Sequence, residues 1–491
     1  MSDRKNRKVK LLCMLLAASM SFVFAFSACG GNTNQDSTGS DNVSDSVADS
    51  DSDSIASSDG SETPEEFSVS FREGYTPEKF GKEIPYTYEE LTDGLTLVKN
   101  TVTKSNGDIS VVYAMETDLS KLDINAGTSN NTTSTEGWVT EKPYAQAQAW
   151  AQATGGTVYA SVNADFFGGN LCVNAFVKDG YIVKNSHNDN GNYDYLNDAS
   201  DVPASAPMLF GVKDGKAQIA PIVGYEGDIT SAAVKQKVIQ SKLFYQLSVS
   251  GSRKAVTENV VPAADTIAFN TTLSCDVKDA IVVKVDVSQG YENMKVLEST
   301  KILLGDTVTP QKGEYGYLIA LRSNSSAYEM LSRMSVGKSY SVEVGSEDGT
   351  WNGYDTILGC RQALVIDDEI AETVTLENTN GAQSPDVPRT CVGIKEDGTV
   401  VVFMVESMYY GKKESEGDTH GMNLPELAEF VYYYGCVQAA NFDGGGSSQL
   451  IVKGEDYDEA EVLVRSSDTA SYELLNTRSV ISSLLITSKV D

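Results

Sequence analysis

The chain has 491 residues and a formal net charge of −31, an acidic excess that argues against nucleic acid as a partner. A phosphate-bearing ligand would need local positive charge, since the global field repels it and is screened within roughly 8 Å at physiological salt. Only two histidines, His187 and His420, are present, which excludes a His-rich zinc site. The seven cysteines lack a CxxC pair and leave an odd number beyond the N-terminal segment, which excludes a disulfide framework.

In chain order, Arg4, Lys5, Arg7, Lys8 and Lys10 form a basic stretch, residues 11–28 an uncharged apolar run, and Ala28-Cys29-Gly30 sets a cysteine after small residues. This resembles a bacterial lipoprotein signal with Cys29 as the lipidated first residue, although Phe26 stands where an aliphatic residue is usual. Cleavage at another small residue and a short transmembrane anchor are the competing readings. Each puts the bulk of the chain outside the cytoplasm, and the lipoprotein reading anchors it to the cell membrane. Residues 30–66 then carry ten Asp and Glu and no Lys or Arg. They bury too little apolar surface to fold and read as an extended tether. The expected organisation is a signal at 1–28, an acidic Ser/Asp-rich tether at 29–66 and a folded ectodomain at 67–491.

Within the ectodomain, the Ala- and Gln-rich residues 143–154 before Gly155-Gly156 predict a helix with a glycine stop. Residues 158–166 alternate as a strand, with Asn163 and Asp165 sharing its polar face. That face suits either a site or plain solvation. Between 219 and 344 the runs 280–287, 301–304, 317–321 and 340–344 read as strands and 327–334 as a helix, with no catalytic constellation. Residues 390–404 predict a hairpin turning at Glu396-Asp397-Gly398, preceded by Arg389 and followed by Glu406. Asn423-Leu424-Pro425-Glu426 has the form of a capping box opening a helix through Tyr434 that stops at Gly435. Cys172, Cys275, Cys360, Cys391 and Cys436 read as small buried hydrophobes.

The helix feeds an apolar strand and then Asn441-Phe442-Asp443-Gly444-Gly445-Gly446-Ser447-Ser448. Strand alternation projects Asn441 and Asp443 from one face, and the glycines allow close backbone approach with amides free for an oxyanion. A carboxylate, an amide, an anion nest and two hydroxyls fit an oxygen-rich, partly anionic ligand. A glycine-rich hairpin turn with solvated serines is the plain alternative.

The ordered blocks NADFFGG at 163–169, ILGCRQALVIDDEI at 357–370, PRTCVGIKEDGTVVVFMVE at 388–406, the 421–448 block ending in NFDGGGSS, and NTRSVISSLLI at 476–486 resemble the phosphodiester glycosidase family. The most specific part is 355–490. The chain departs from the family pattern at Gly359-Cys360-Arg361, where a glycine-rich turn is usual, and at Glu406-Ser407-Met408, where Asp-Gly-Arg is usual. The resemblance implies an extracytoplasmic hydrolase acting on a sugar-1-phosphodiester. A non-catalytic lipoprotein that binds carbohydrate or envelope polymer is the alternative. The expected fold is α+β, with a mixed, mostly antiparallel sheet core flanked by helices.

A sugar joined through its anomeric carbon to phosphate has a good leaving group, because the released phosphate has a second pKa of about 6. Its departure needs N–H or cationic stabilisation of the phosphate and a carboxylate for the oxocarbenium-like centre or the water. The candidates are Asp443, Asp165 and Glu406 as catalytic acids. Asn163, Arg389, Thr390, Asn441, Gly444, Gly445, Gly446, Ser447 and Ser448 are the candidates for substrate binding. Arg389 suits a structural salt bridge equally, His420 reads as a solvated loop residue, and Tyr409 and Tyr410 could stack on a sugar. No cofactor is required, a divalent cation such as calcium stays open, and the expected partners are a sugar-phosphate substrate and the membrane.

Overall fold

Short runs of β-branched and aromatic residues, punctuated by Gly, Asp and Asn turns, build most of the chain from strands. The computed structural model describes residues 67–185, 207–226, 237–257, 266–270, 279–303, 315–321, 325–372, 374, 386–407, 419–453, 460–469 and 471–490. Cys29 and the signal and tether segments, Cys275, His187, Met408, Tyr409 and Tyr410 lie outside them.

Two sheets position the site. Their strands, in chain order, are β1 (Tyr86–Thr92), β2 (Leu95–Thr103), β3 (Ile109–Thr117), β4 (Leu122–Gly127), β5 (Val158–Asn163), β6 (Ala363–Ile366), β7 (Glu369–Ile370), β8 (Arg389–Lys395), β9 (Val400–Glu406), β10 (Cys436–Asn441), β11 (Leu450–Val452), β12 (Glu461–Val464) and β13 (Ser483–Ser488). The first sheet runs β1-β2-β3-β9-β8-β10-β6-β7 and the second β12-β11-β5-β13-β4. Both contribute to one core, in which Val112, Met115, Ile124, Val162, Val402, Leu450 and Ile486 are all buried. Each such side chain contributes on the order of 1.5–3 kcal/mol on burial.

Three α-helices occur among the described residues: α1 (Pro143–Thr154), α2 (Ser326–Ser332) and α3 (Leu424–Tyr433). Helix α1 ends where Gly155 takes a left-handed φ of 75°, which glycine adopts without steric cost. Helix α3 opens on the expected capping box: Asn423 Oδ1 accepts from Glu426 N at 3.0 Å, and Glu426 Oε2 accepts from Asn423 N at 3.0 Å. The same Glu426 carboxylate meets buried Lys104 Nζ at 2.8 Å, which also bonds Asp386 at 2.7 Å. The helix start is thereby tied to the segment that leads into β8. The apolar side of α3 covers one face of the first sheet, with Phe403 edge-on to Phe430 and Tyr434. Cys391 pairs with Phe403 in the β8–β9 ladder, so Thr390 points to the opposite face, toward the second sheet.

Residues 244–345 hold a further eight-stranded sheet with α2 packed on it and a core of its own around Leu247, Val283, Leu318 and Leu331. The short strand foreseen at 301–304 is the end of a nine-residue strand, Met294–Ile302, and the helix foreseen at 327–334 runs Ser326–Ser332. A further five-stranded sheet is built from Phe176–Lys178, Tyr181–Lys184, Met208–Lys213, Lys216–Pro221 and Thr356–Gly359, and its Gly359 lies against Asp165. All described pairings are antiparallel except Val256↔Ile267 and its neighbour. Strand accounts for 48% and helix for 13% of the structure, so a mostly-β description fits better than α+β. Cys172, Cys360, Cys391 and Cys436 are free and buried, and no described helix is long and apolar enough to cross a membrane.

The strand expected to reach residue 166 stops at Asn163. Its ladder partners run out there: β11 pairs through Val162 and β13 through Asn163. Ala164 N turns to Ser482 O, at 3.1 Å, while Ala164 O accepts from Asp443 N at 3.0 Å. Asn163 and Asp165 therefore do not share a face.

Candidate active site

Asp443 follows directly on β10, which ends because the chain leaves the ladder to bridge the two sheets. Phe442 N donates to Thr390 O at 2.9 Å on the β8 side. On the β5 side, Asp443 N meets Ala164 O, and Asp443 O accepts from Asn163 Nδ2 at 2.6 Å. The Asp443 backbone is thus held from both sheets before its carboxylate makes any contact, which pre-organises it.

The glycines serve packing as much as freedom. Gly445 has a φ of +57°, in the region that favours glycine. A Cβ on Gly446 would lie 2.3 Å from the Asp468 carboxylate, so any other residue there must displace that side chain. The expected nest of free amides is largely occupied: Gly444 N donates to Asp443 Oδ1 at 3.0 Å, Gly445 N to Pro388 O at 2.8 Å, and Ser447 N and Ser448 N to Gly444 O and Gly445 O. Those amides stabilise the loop and the carboxylate.

Beneath the loop lies a closed polar lattice. Thr390 Oγ1 donates to Asn163 Oδ1 at 2.9 Å and lies 3.1 Å from Ser448 Oγ. A hydroxyl has one proton, so Ser448 donates to Thr390. Gln449 N also donates to Asn163 Oδ1, at 3.3 Å, and Gln449 Nε2 reaches Arg478 O at 2.9 Å. Asn163, Thr390, Ser447 and Ser448 are all buried, so Asn163, Thr390 and Ser448 act as the framework that orients the loop. Asn441, also buried, donates from Nδ2 to Gln362 Oε1 at 3.3 Å.

Charge converges on Asp443 from two arginines that sequence reasoning did not single out. Burial raises the Asp443 pKa; the Ser447 hydroxyl, Arg478, the Gly444 amide and Arg361 pull it back without cancelling the rise. Arg361 is exposed, with its guanidinium carbon 5.4 Å from the Phe166 ring centroid. Arg478 lies 5.7 Å over Phe167 and forms an ion pair with Asp468 at 2.7 Å. The Phe166-Phe167 pair thus offers each arginine an aromatic face, at a separation suited to weak cation–π attraction. The available signal was the presence of Arg361 and Arg478 within two of the blocks that carry the family resemblance.

The other candidates are dispersed. Arg389 is buried, its Nε donating to Met422 O at 2.9 Å and its Cδ 3.6 Å from where a Gly444 Cβ would stand. It supports the loop from the β8 side. Asp165 is fully enclosed: Asn174 N and Nδ2 donate to its two oxygens at 2.9 and 2.7 Å. A Cβ on Gly359 would come within 2.4 Å of its Oδ2. Burial pushes the Asp165 pKa up to about 7, against the Asn174 hydrogen bonds and the charge of Lys184. Glu406 lies two strands from Asp443, accepting from Tyr472 OH at 2.7 Å. The structure therefore does not bring Asp165 and Glu406 into hydrogen-bond contact with Asp443 as a carboxylate pair. His420, expected to be solvated, is half-buried, with Nδ1 3.7 Å from Asp108. Among the described residues no group of three or more His, Cys, Asp or Glu converges as metal ligands.

Residues 297–487 match the family model described as phosphodiester glycosidase, a stretch that contains Arg361, Arg389, Asp443, Ser447 and Arg478. No curated protein matches the chain. Several solved structures are similar to it, among them the three that follow. A hypothetical protein from Synechocystis shares 16% identity with a TM-score of 0.45, over 83% of this chain and 64% of that one. A putative exported protein from Burkholderia pseudomallei shares 15% identity with a TM-score of 0.37, over 77% and 74%. The zebrafish N-acetylglucosamine-1-phosphodiester alpha-N-acetylglucosaminidase catalytic domain, auto-inhibited by its pro-peptide, shares 12% identity with a TM-score of 0.36, over 86% and 87%. The chain thus spans just under two thirds of the length of the Synechocystis protein.

Proposed function

From a chain whose residues 297–487 match the phosphodiester glycosidase family, we propose a hydrolase that cleaves the glycosidic bond of a sugar-1-phosphodiester in cell-envelope or extracellular glycans. One observation carries the reading: Asp443 in a backbone-pinned glycine loop, within the field of Arg361 and of Arg478, which also pairs with Asp468. The reaction breaks the bond between the anomeric carbon and the phosphate oxygen, adds water across it, and releases a free sugar and a phosphomonoester.

The two arginines meet the charge that develops on the departing phosphate, and planar guanidinium groups suit its oxygens bidentately. They also supply the local positive charge that an acidic chain needs to accept an anion at all. Asp443 faces the anomeric centre, where it stabilises positive charge or takes a proton from water. Asn163, Thr390 and Ser448 hold its backbone, and Ser447 orients its oxygens. Phosphate leaves without strong general-acid help, so one acid suffices for bond cleavage and the separation of Asp165 and Glu406 from Asp443 is compatible with turnover.

The test is Asp443→Asn on the purified ectodomain, assayed for free sugar and phosphomonoester from sugar-1-phosphodiesters. Turnover should fall by roughly 10²–10⁴-fold with the melting temperature and substrate binding retained. Activity within a few-fold of the parent would remove Asp443 from the chemistry. A parent that binds these compounds and never turns them over would establish a binding protein instead. Placement outside the cytoplasm through a lipid on Cys29 belongs to the same proposal, supported by the basic and apolar N-terminal pattern.

A further inference from the structure

Beside Glu406, where the first sheet meets β12, the surface opens into a groove of about 910 Å³ lined by Lys99, Tyr113, Glu406, Glu461, Tyr472 and Leu475, among others. Its volume is in the range of pockets that hold sizeable organic ligands. The lining is neither a plain apolar face nor a plain acidic cluster. Glu406 is only 8% exposed, while Tyr472 and Leu475 beside it are 49% and 78% exposed, so a buried carboxylate opens onto accessible apolar surface. Tyr472 is held in place by its hydroxyl bond to Glu406, so its ring is presented with little loss of freedom on binding.

The groove also has a fixed relation to the proposed chemistry. In the ladders Arg389 pairs with Val405, and Cys391 with Asn441. Thr390 pairs with Met404, so its side chain and that of Glu406, two residues beyond Met404, share the face toward the second sheet. Thr390 meets Ser448 of the glycine loop, which ties the groove to the loop that carries Asp443.

We propose that this groove is a subsite for neutral sugar units of an oligosaccharide whose phosphodiester end reaches Asp443. The proposal rests on the glycosidase reading and deepens it by naming the substrate class as a glycan chain. Three carboxylates, Glu406, Glu461 and Glu473, outweigh Lys99 in the lining, so anionic polymers are disfavoured and hydroxyl donors are matched by acceptors. Arg465 lies over one face of the Tyr472 ring, 5.1 Å from its centroid, and the carboxylates still outnumber the two cations. The other face of the ring and the Leu475 side chain supply an apolar wall for the C–H faces of a pyranose.

The experiment uses the ectodomain carrying Asp443→Asn, so that binding is measured without turnover. Calorimetric titration is run with neutral hexasaccharides of glucose, of mannose and of N-acetylglucosamine, with hexagalacturonate, and with a neutral hexapeptide. At least one neutral hexasaccharide should bind, Tyr472→Ala should weaken it at least tenfold, and Tyr472→Phe, which keeps the ring and loses the bond to Glu406, should weaken it less. Binding of no neutral hexasaccharide overturns the proposal. So does binding that is indifferent to Tyr472→Ala, equal binding of hexagalacturonate, or preference for the peptide. In the active protein, Tyr472→Ala should lower the ratio of kcat/KM on long over short sugar-1-phosphodiesters, and an unchanged ratio overturns the placement. Failure of the glycosidase reading is separately visible as no turnover of any phosphodiester by the parent.

Discussion

Replacing Asp165 with Asn would decide whether this carboxyl is a structural acid or a chemical one. Its pKa rises from 3.8 to about 7 in the folded protein, mainly through burial. Between those values the folded state binds a proton that the unfolded chain has released, so stability declines as pH rises from about 4 and the full cost is present above about 7. Three units correspond to about 4 kcal/mol. Asn cannot ionise, but it offers one oxygen to the two Asn174 donors, and an orphaned donor costs on the order of 1–3 kcal/mol. The variant should be less stable than the parent at pH 4 and more stable at pH 8, with the curves crossing between. Denaturant midpoints of both proteins at half-unit steps from pH 4 to 8 measure this directly, and the difference between them cancels every other titrating group. Parallel curves would refute the argument, showing that Asp165 stays ionised when folded. Loss of turnover at pH 8 with improved stability would return Asp165 to the catalytic candidates.

Three shorter predictions accompany it. Gly446→Ala would press a Cβ to within 2.3 Å of the Asp468 carboxylate, costing about 1–3 kcal/mol and most of the activity. Adding Asp468→Ala should recover part of the melting temperature, and no recovery would show that the clash lies elsewhere. Glu429, buried on α3, accepts from Tyr75 OH at 2.9 Å and from Glu78 N and Lys79 N at 2.7 Å each. Glu429→Gln should therefore lower stability by about 2–3 kcal/mol and speed proteolysis within residues 67–85, whereas an unmoved denaturant midpoint would count against that clasp. Cys29→Ser should release the protein from the membrane or leave it unprocessed, and unchanged retention with an intact N-terminus would point to a transmembrane anchor.

What could be read in advance shares one property: the interactions are short-range along the chain. The capping box joins Asn423 to Glu426 three residues on, Gly155 stops α1 by its own φ, and the 389–406 hairpin closes over a local turn. The DGGGSS loop was legible for the same reason, since a carboxylate followed by glycines is a local pattern. The strand ending at Asn163 was misjudged because its length depends on the β11 and β13 ladders, which come from residues 450–488. Arg361 and Arg478 were passed over because, beyond their place in the resemblance blocks, no local pattern links them to Asp443. Their charge acts on Asp443 only in the folded chain, and Phe166-Phe167 offers each a ring only once β5 has ended. Conversely, Asp165 and Asn163 looked equivalent by alternation, yet the bend after β5 sends Asp165 into an enclosed pocket with Asn174, while Asn163 stays under the glycine loop. Local propensity acts over a few residues, whereas the field at a carboxylate sums charges across space, and here it joins Asp443 to one arginine well before it and another well after it in the chain.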